Sequence, residues 1–260
     1  MTITVTRRTV AVACALLATI VAALAAQGAD ARSTVTMSGT AYEFNNVKVR
    51  LVGAQIRIAE YPKLKTVVNN ADGSYILKVP ARAKAITPYI TFPGYSQIHL
   101  QTFTTDGKNL KNVNFQTPTV GIATALGIFL DIPISSAGQP AKCVIVSTFS
   151  TSNVRNLDFA GFIGYGAHGI AGATASTSPK LPGPIYFNAD VLPDPAKTQS
   201  SEDGGVIWTN VPSGSYTVKA SKPGNRFASF KATCRPGRIV NPTPPWGLYQ
   251  VSGDPRPQGG

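Results

Sequence analysis

The chain has 260 residues, with 24 Lys and Arg against 12 Asp and Glu, which gives a formal net charge of +12. It is too long for one immunoglobulin-sized sandwich and suits two. The basic excess is spread along the chain with no block of five or more, so no segment concentrates the field as nucleic-acid binding would require.

The N-terminal segment sets the compartment. Arg7 and Arg8 precede an uncharged apolar run from Thr9 to Ala26, followed by small residues. This is the layout of a secretory signal peptide over residues 1–31, with cleavage expected at Ala25 or Ala31. The run is somewhat shorter than the ~20 residues of a spanning helix. Cys14 lies in its middle, away from the position a lipid would need. Removal of residues 1–31 leaves 22 basic and 11 acidic residues, since Arg7, Arg8 and Asp30 go with it. No later stretch spans a bilayer, because Ile122 to Ile134 is short and holds Asp131 and Pro133. The mature chain is expected to be exported, periplasmic or extracellular, without a membrane span.

From residue 32 the pattern has period two. Val47, Val49 and Leu51 alternate with Lys48 and Arg50, then Ala54, Ile56 and Ile58 with Gln55 and Arg57. Tyr75, Leu77 and Val79 alternate with Ser74, Ile76 and Lys78, and later Tyr216, Val218 and Ala220 with Ser215, Thr217 and Lys219. Such runs, bounded by Gly, Pro, Asn and Asp, are antiparallel strands with one buried face. No amphipathic helix is expected. The sequence predicts an all-β chain of two tandem antiparallel sandwiches. The first covers 32–118, a crossing strand and linker covers 119–140, the second covers 141–251, and 252–260 is a disordered tail.

One unit occurs twice. Asp72-Gly73-Ser74-Tyr75 leads to Val79-Pro80 and then Pro93-Gly94; Asp203-Gly204 leads to Val211-Pro212 and then Pro223-Gly224. Glycine supplies the positive φ of a tight turn, and proline ends the strand because it cannot donate the next ladder bond. With Gly39, Gly53-Ala54 and Gly94-Tyr95, the first copy resembles the carboxypeptidase regulatory-like family, a transthyretin-like small β-sandwich. The second copy departs from it at Gly205-Val206 and Gly224-Asn225, which lack the aromatics. The resemblance covers roughly 34–118 and, more loosely, 166–249. It implies architecture and a binding or accessory role more than a reaction.

Cys143 and Cys234 are the cysteines left after export, and an exported pair reads as one disulfide, against the competing reading of two free buried thiols. Neither has a His or Cys neighbour at zinc-ligand spacing, so no metal and no cofactor is expected. His99 shares a strand face with Gln97 and Gln101 and reads as a solvated position. His168, flanked by glycines, is the candidate catalytic residue, with Asp158, Asp190, Asp194, Glu202 and Asp203 around it in sequence, but no nucleophile elbow accompanies it. Trp208 reads as core. Trp246 and Tyr249, with Arg235 and Arg238 close by in sequence, form the candidate ligand-binding set, since aromatic faces beside positive charge suit acidic glycans. The expected function is that of an exported, non-enzymatic binding or scaffold protein of the cell envelope. Its expected partners are carbohydrate, an anionic envelope polymer or another envelope protein, and not nucleic acid. The alternative is a secreted hydrolase built around His168 and the nearby carboxylates.

Overall fold

A computed structural model describes residues 33–258. The expected signal peptide and Cys14 lie outside the described residues. The first half contains β1 (Thr34–Glu43), β2 (Asn46–Arg50), β3 (Gln55–Ile58), β4 (Tyr61–Val67), β5 (Ser74–Pro80), β6 (Pro88–Thr91), β7 (Ile98–His99) and β8 (Phe115–Thr117). Helix α1 (Val120–Phe129) follows, then β9 (Cys143–Thr148), a short 3-10 turn at Ser152–Val154 and α2 (Phe159–Tyr165). The rest is β10 (Thr174–Ser178), β11 (Ile185–Phe187), β12 (Pro193–Asp194), β13 (Gly205–Val211), β14 (Gly214–Ser221), β15 (Arg226–Phe227), β16 (Phe230–Cys234), β17 (Ile239–Val240) and β18 (Gln250–Ser252).

The chain is all-β with two sandwiches. In the first, β2, β1, β5 and β8 face β7, β6, β3 and β4; in the second, β10, β14 and β16 face β12, β11, β13, β9 and β17. The alternation predicted for β3 and β5 sets their inner faces: Ile56, Ile58, Tyr75 and Val79 are all buried. They join Met37, Ile90, Ile98 and Phe115 in one core, while Ile145, Phe149, Val206, Trp208, Val218 and Phe230 build a second. Trp208 is core, as its strand position predicts. Val47 and Val49 fare differently. β2 is an outer strand whose Val49 is exposed, while Arg50 stacks its guanidinium 4.5 Å from the Phe159 ring.

The two sandwiches share a sheet. β17 pairs in parallel with both β9 and β7, so one nine-stranded sheet runs through both halves in the order β12-β11-β13-β9-β17-β7-β6-β3-β4. A strand from the end of the chain thus closes onto a strand of the first half. Cys143 and Cys234 are bonded, with Cα atoms 5.5 Å apart, and the bridge ties β9 of this long sheet to β16 of the sheet facing it.

Three expectations need correction. Residues 119–140 hold a helix where a crossing strand was expected. Thr119 caps it by accepting from the Ile122 N–H at 3.2 Å. The segment is apolar on every side, so it lacks the helical period that would have marked it. Helix α1 and the turn after it cover the outer face of the second half's sheet, where Ile132 packs with Val144, Phe187 and Ile207. Gly127 lets the helix close on this turn, since a Cβ there would lie 2.2 Å from Ile134. Secondly, the tail is ordered through residue 258. β18 pairs with β15, the Arg256 carbonyl accepts from Tyr165, and the Arg256 side chain donates to the carbonyls of Gly169 and Glu202. Thirdly, His99 is buried, with only 4% of its surface exposed, where a solvated position was expected. Tyr89 stacks on its ring, with centroids 5.1 Å apart, and the Arg235–Arg238 turn of the second half closes the space beside it.

Candidate functional site

The outer face of the long sheet differs between the two halves. Over β9 and β13 it is apolar and covered. Over β3, β6 and β7 it is polar and open, because each residue facing the core alternates with one facing out. Register then fixes the rows. Lys65 lies opposite Arg57, Arg57 opposite Tyr89, and Tyr89 opposite His99. A second row runs from Gln55 to Thr91. Cross-strand neighbours of this kind are close enough to act together. Arg57 is held along the sheet by Gln55, whose Oε1 accepts from its Nη2 at 2.6 Å.

Two clefts open on this face. One, of about 390 Å³, is lined by Tyr89, Gln97, His99, Gln139, Arg235 and Arg238, among others. The second, of about 510 Å³, is lined by Gln55, Thr91, Phe92, Tyr95, Gln97 and Gln139, with Gly53 and Pro93. Gln97 and Gln139 line both, so the clefts form one groove. Gln139 comes from the segment between the halves. Its amide is oriented to accept from the Gln97 N–H at 2.6 Å and to donate to the Gly237 carbonyl at 2.5 Å. The groove therefore needs both halves, with one wall from the first sandwich and the other from the turn after β16.

The electrostatics are those of an anion site. Arg238 is fixed by donating from Nη1 to the Thr233 carbonyl at 3.0 Å. Its pKa is held below the usual arginine range, first by burial and then by the neighbouring charge of Arg235; Glu60 and Tyr89 pull the other way. Glu60 itself accepts from the N–H and hydroxyl of Thr87 at 2.7 and 2.6 Å. Among the described residues neither Arg235 nor Arg238 is ion-paired. His99 is pushed down to about 3 by burial, and next by Arg238, so its imidazole is neutral at ordinary pH. Its Nδ1 is buried without a hydrogen-bond partner. Two guanidinium groups with no ion-paired carboxylate among the described residues, with Glu60 near enough to act on Arg238, stand beside a neutral imidazole and two side-chain amides and present donors in excess of acceptors.

The aromatic walls are firmly held. Phe92 and Tyr95 lie with ring centroids 5.5 Å apart, and the Tyr95 hydroxyl donates to Glu43 at 2.7 Å. That bond raises the Tyr95 pKa to about 12. Gly53, with φ +93°, borders Phe92, and a Cβ there would meet the ring at 3.6 Å.

The sequence-predicted binding residues separate into two places. Arg235 and Arg238 line the groove, while Trp246 and Tyr249 stack elsewhere around Arg155. Trp246 meets Phe103 edge-on at 4.9 Å and carries the Arg155 guanidinium 3.5 Å above its ring, so it bridges the segment after β17 to the first core. The residues that sequence reasoning missed are Tyr89, Phe92, Tyr95, Gln97 and Gln139. Of these, only Gln97 carries a strand face in the sequence and Tyr95 a place in a turn motif, and nothing local showed that the turn at 235–238 would meet them.

His168 packs edge-on against Phe162, with centroids 5.1 Å apart, and its Nδ1 lies 3.2 Å from the Gly166 carbonyl. Burial lowers its pKa, with Arg256 adding to the effect and the Gly166 bond opposing it. Among the described residues no carboxylate or serine hydroxyl is hydrogen-bonded to the ring. The acids near it in sequence have local work. Asp158 caps α2 by accepting from Gly161 N–H at 2.7 Å, Asp194 accepts from Ala196 N–H at 3.0 Å, and Asp203 accepts from Gly205 N–H at 3.0 Å. No group of three or more His, Cys, Asp and Glu among the described residues could hold a metal ion. Among those residues, too, no helix is long and apolar enough to cross a membrane.

No family model and no curated protein matches the chain. Among solved structures it is similar to the Bacillus anthracis TIE protein, at 16% identity over 80% of this chain and 33% of that one, with a TM-score of 0.25. It thus spans about a third of that protein's length. The shaft pilin SpaA of Lactobacillus rhamnosus GG is 12% identical over 86% of this chain and all of that one, with a TM-score of 0.24. A streptococcal ancillary pilin is 7% identical over 84% of this chain and 69% of that one, at 0.26. Likenesses of this size carry no argument about what the chain does, and its function is read from its own residues.

Proposed function

We propose that the chain is an exported binding or scaffold protein of the cell envelope, which holds anionic surface polymer against the polar face of its long sheet. The observation that carries this reading is the pair of guanidinium groups, Arg235 and Arg238, that line the groove where the two sandwiches meet and form no ion pair among the described residues. Opposite charge in a cleft with low-dielectric walls raises local ligand concentration, and the effect weakens with salt. The excess of positive charge in the mature sequence supports the same reading. The disulfide and the leader-like first 31 residues support export. The two Asp-Gly turns support a carboxypeptidase regulatory-like architecture, a family whose members serve mostly as accessory or binding modules.

The test is retention of the mature, oxidised protein on immobilised anionic polysaccharide compared with a neutral polysaccharide at low and moderate salt. Selective retention that declines with salt is expected. Equal retention on both matrices contradicts the reading.

A further inference from the structure

Resting on that reading, we propose that the groove takes an acidic oligosaccharide in two adjoining subsites. The carboxylate of one sugar sits at Arg235 and Arg238, and the neighbouring ring lies against Phe92 and Tyr95.

The first subsite is chemically specific. A guanidinium is a rigid planar fork that matches a carboxylate with two parallel hydrogen bonds. Arg238 is already held by the Thr233 carbonyl, which limits the side-chain freedom lost on binding. The wall beside it is the stacked Tyr89–His99 pair, whose planes differ by 19°. His99 carries no charge there, and its Nε2 lies 3.4 Å from the side-chain amide of Gln97.

The second subsite explains why charge alone is an incomplete description. Phe92 and Tyr95 are half-buried, so each keeps part of its surface on the groove. Aromatic surface of this kind suits the C–H faces of a sugar ring and offers nothing to a bare phosphate chain. Between the subsites stand the amides of Gln97 and Gln139, with Gln55 at the far wall. Beyond the bonds that Gln139 makes to Gln97 and Gly237 and Gln55 makes to Arg57, these amides keep N–H groups that can donate to the oxygens of a sugar. Cation, amides and aromatics thus follow one another along one groove, in the order that a chain of acidic sugars presents carboxylate, hydroxyls and ring face.

The experiment is isothermal titration of the mature, oxidised protein with tri-galacturonic acid, galactotriose and tripolyphosphate, and a separate retention assay on dextran sulfate. Tri-galacturonic acid is expected to bind at least about tenfold more tightly than either of the other two small ligands, since a hydrogen bond to a charged group corresponds to about that factor. Arg238→Gln, Arg235→Gln and Phe92→Ala should each weaken it about tenfold with the circular dichroism unchanged; Arg235 is exposed, so its variant tests the site without risk to the fold. Tripolyphosphate binding as tightly as tri-galacturonic acid, or loss in neither arginine variant, overturns the acidic-sugar assignment while retention on dextran sulfate keeps the broader anion reading. Absence of both titration and retention overturns the two together.

Discussion

Gly73 and Gly204 occupy the same point of two matching turns. Their φ angles are +77° and +76°. Each N–H donates to the carbonyl three residues back, Asn70 and Ser201, at 2.9 Å. Each carbonyl accepts at 2.9 Å from the neighbouring chain segment of the same sheet, from Ala41 and Phe149. The aspartate before each glycine accepts from the N–H after it, at 2.9 Å from Ser74 and 3.0 Å from Gly205. Three equivalent bonds in each half make the turn a structural repeat as well as a sequence one.

Gly73→Val and Gly204→Val should therefore both destabilise the protein. A β-branched residue at positive φ is strained, and a Cβ would lie 2.8 Å from the Ala41 oxygen in one turn and 2.9 Å from the Phe149 oxygen in the other. A loss of about 1–3 kcal/mol is expected from the backbone strain. Urea midpoints check it, and an unchanged midpoint in either variant would contradict the account of that turn.

Loss of the Cys143–Cys234 bond should lower stability by about 2–5 kcal/mol, chiefly because the closed loop spans 91 positions. Alkylation of the native protein without reductant should add no label, and the Cys143→Ser/Cys234→Ser variant should melt at lower temperature. Uptake of two labels by the native protein would sink the assignment.

His99 should make the protein acid-sensitive. Its folded pKa, near 3, lies below the ordinary value of 6.5, so between these limits the unfolded chain binds a proton that the folded chain does not. Its contribution is complete above about pH 6.5 and is lost as pH falls, at up to about 1.4 kcal/mol per pH unit. His168, also lowered by burial, acts in the same direction. Asp203, raised by burial, acts in the opposite one. Denaturation of His99→Gln between pH 6.5 and 5 should show a flatter dependence than the parent. Parallel curves would contradict the burial of a neutral imidazole.

Much of the fold was legible because strand period and turn chemistry are local. Ile56, Ile58, Tyr75 and Val79 could be assigned to a core from alternation alone. Cys143 and Cys234 could be paired because the expected loss of the leader with Cys14 leaves two thiols. Helix α1 was hidden because Val120 to Phe129 is apolar on all sides, and a helix without a polar face carries no period. The groove was half legible. Arg235 and Arg238 stood out by charge, and they were joined to Trp246 and Tyr249 because the four are near in sequence. β17 lies between the two pairs, and Trp246 belongs to a stack with Arg155 and Phe103 instead. Tyr89 and Gln139 carried no signal and Gln97 only its strand face, since their meeting with Arg238 depends on a parallel pairing between strands more than 130 residues apart in the chain.

The central claim is that the ligand lies on the outer face of β3, β6 and β7, in the groove shared by the two halves. Hydroxyl-radical footprinting with and without bound anionic oligosaccharide tests it most directly. Tyr89, Phe92 and Tyr95 should gain protection on binding, while Trp246 and Tyr249 keep the reactivity of the free protein. Protection of Trp246 and Tyr249 with no change at Tyr89, Phe92 and Tyr95 would contradict the account.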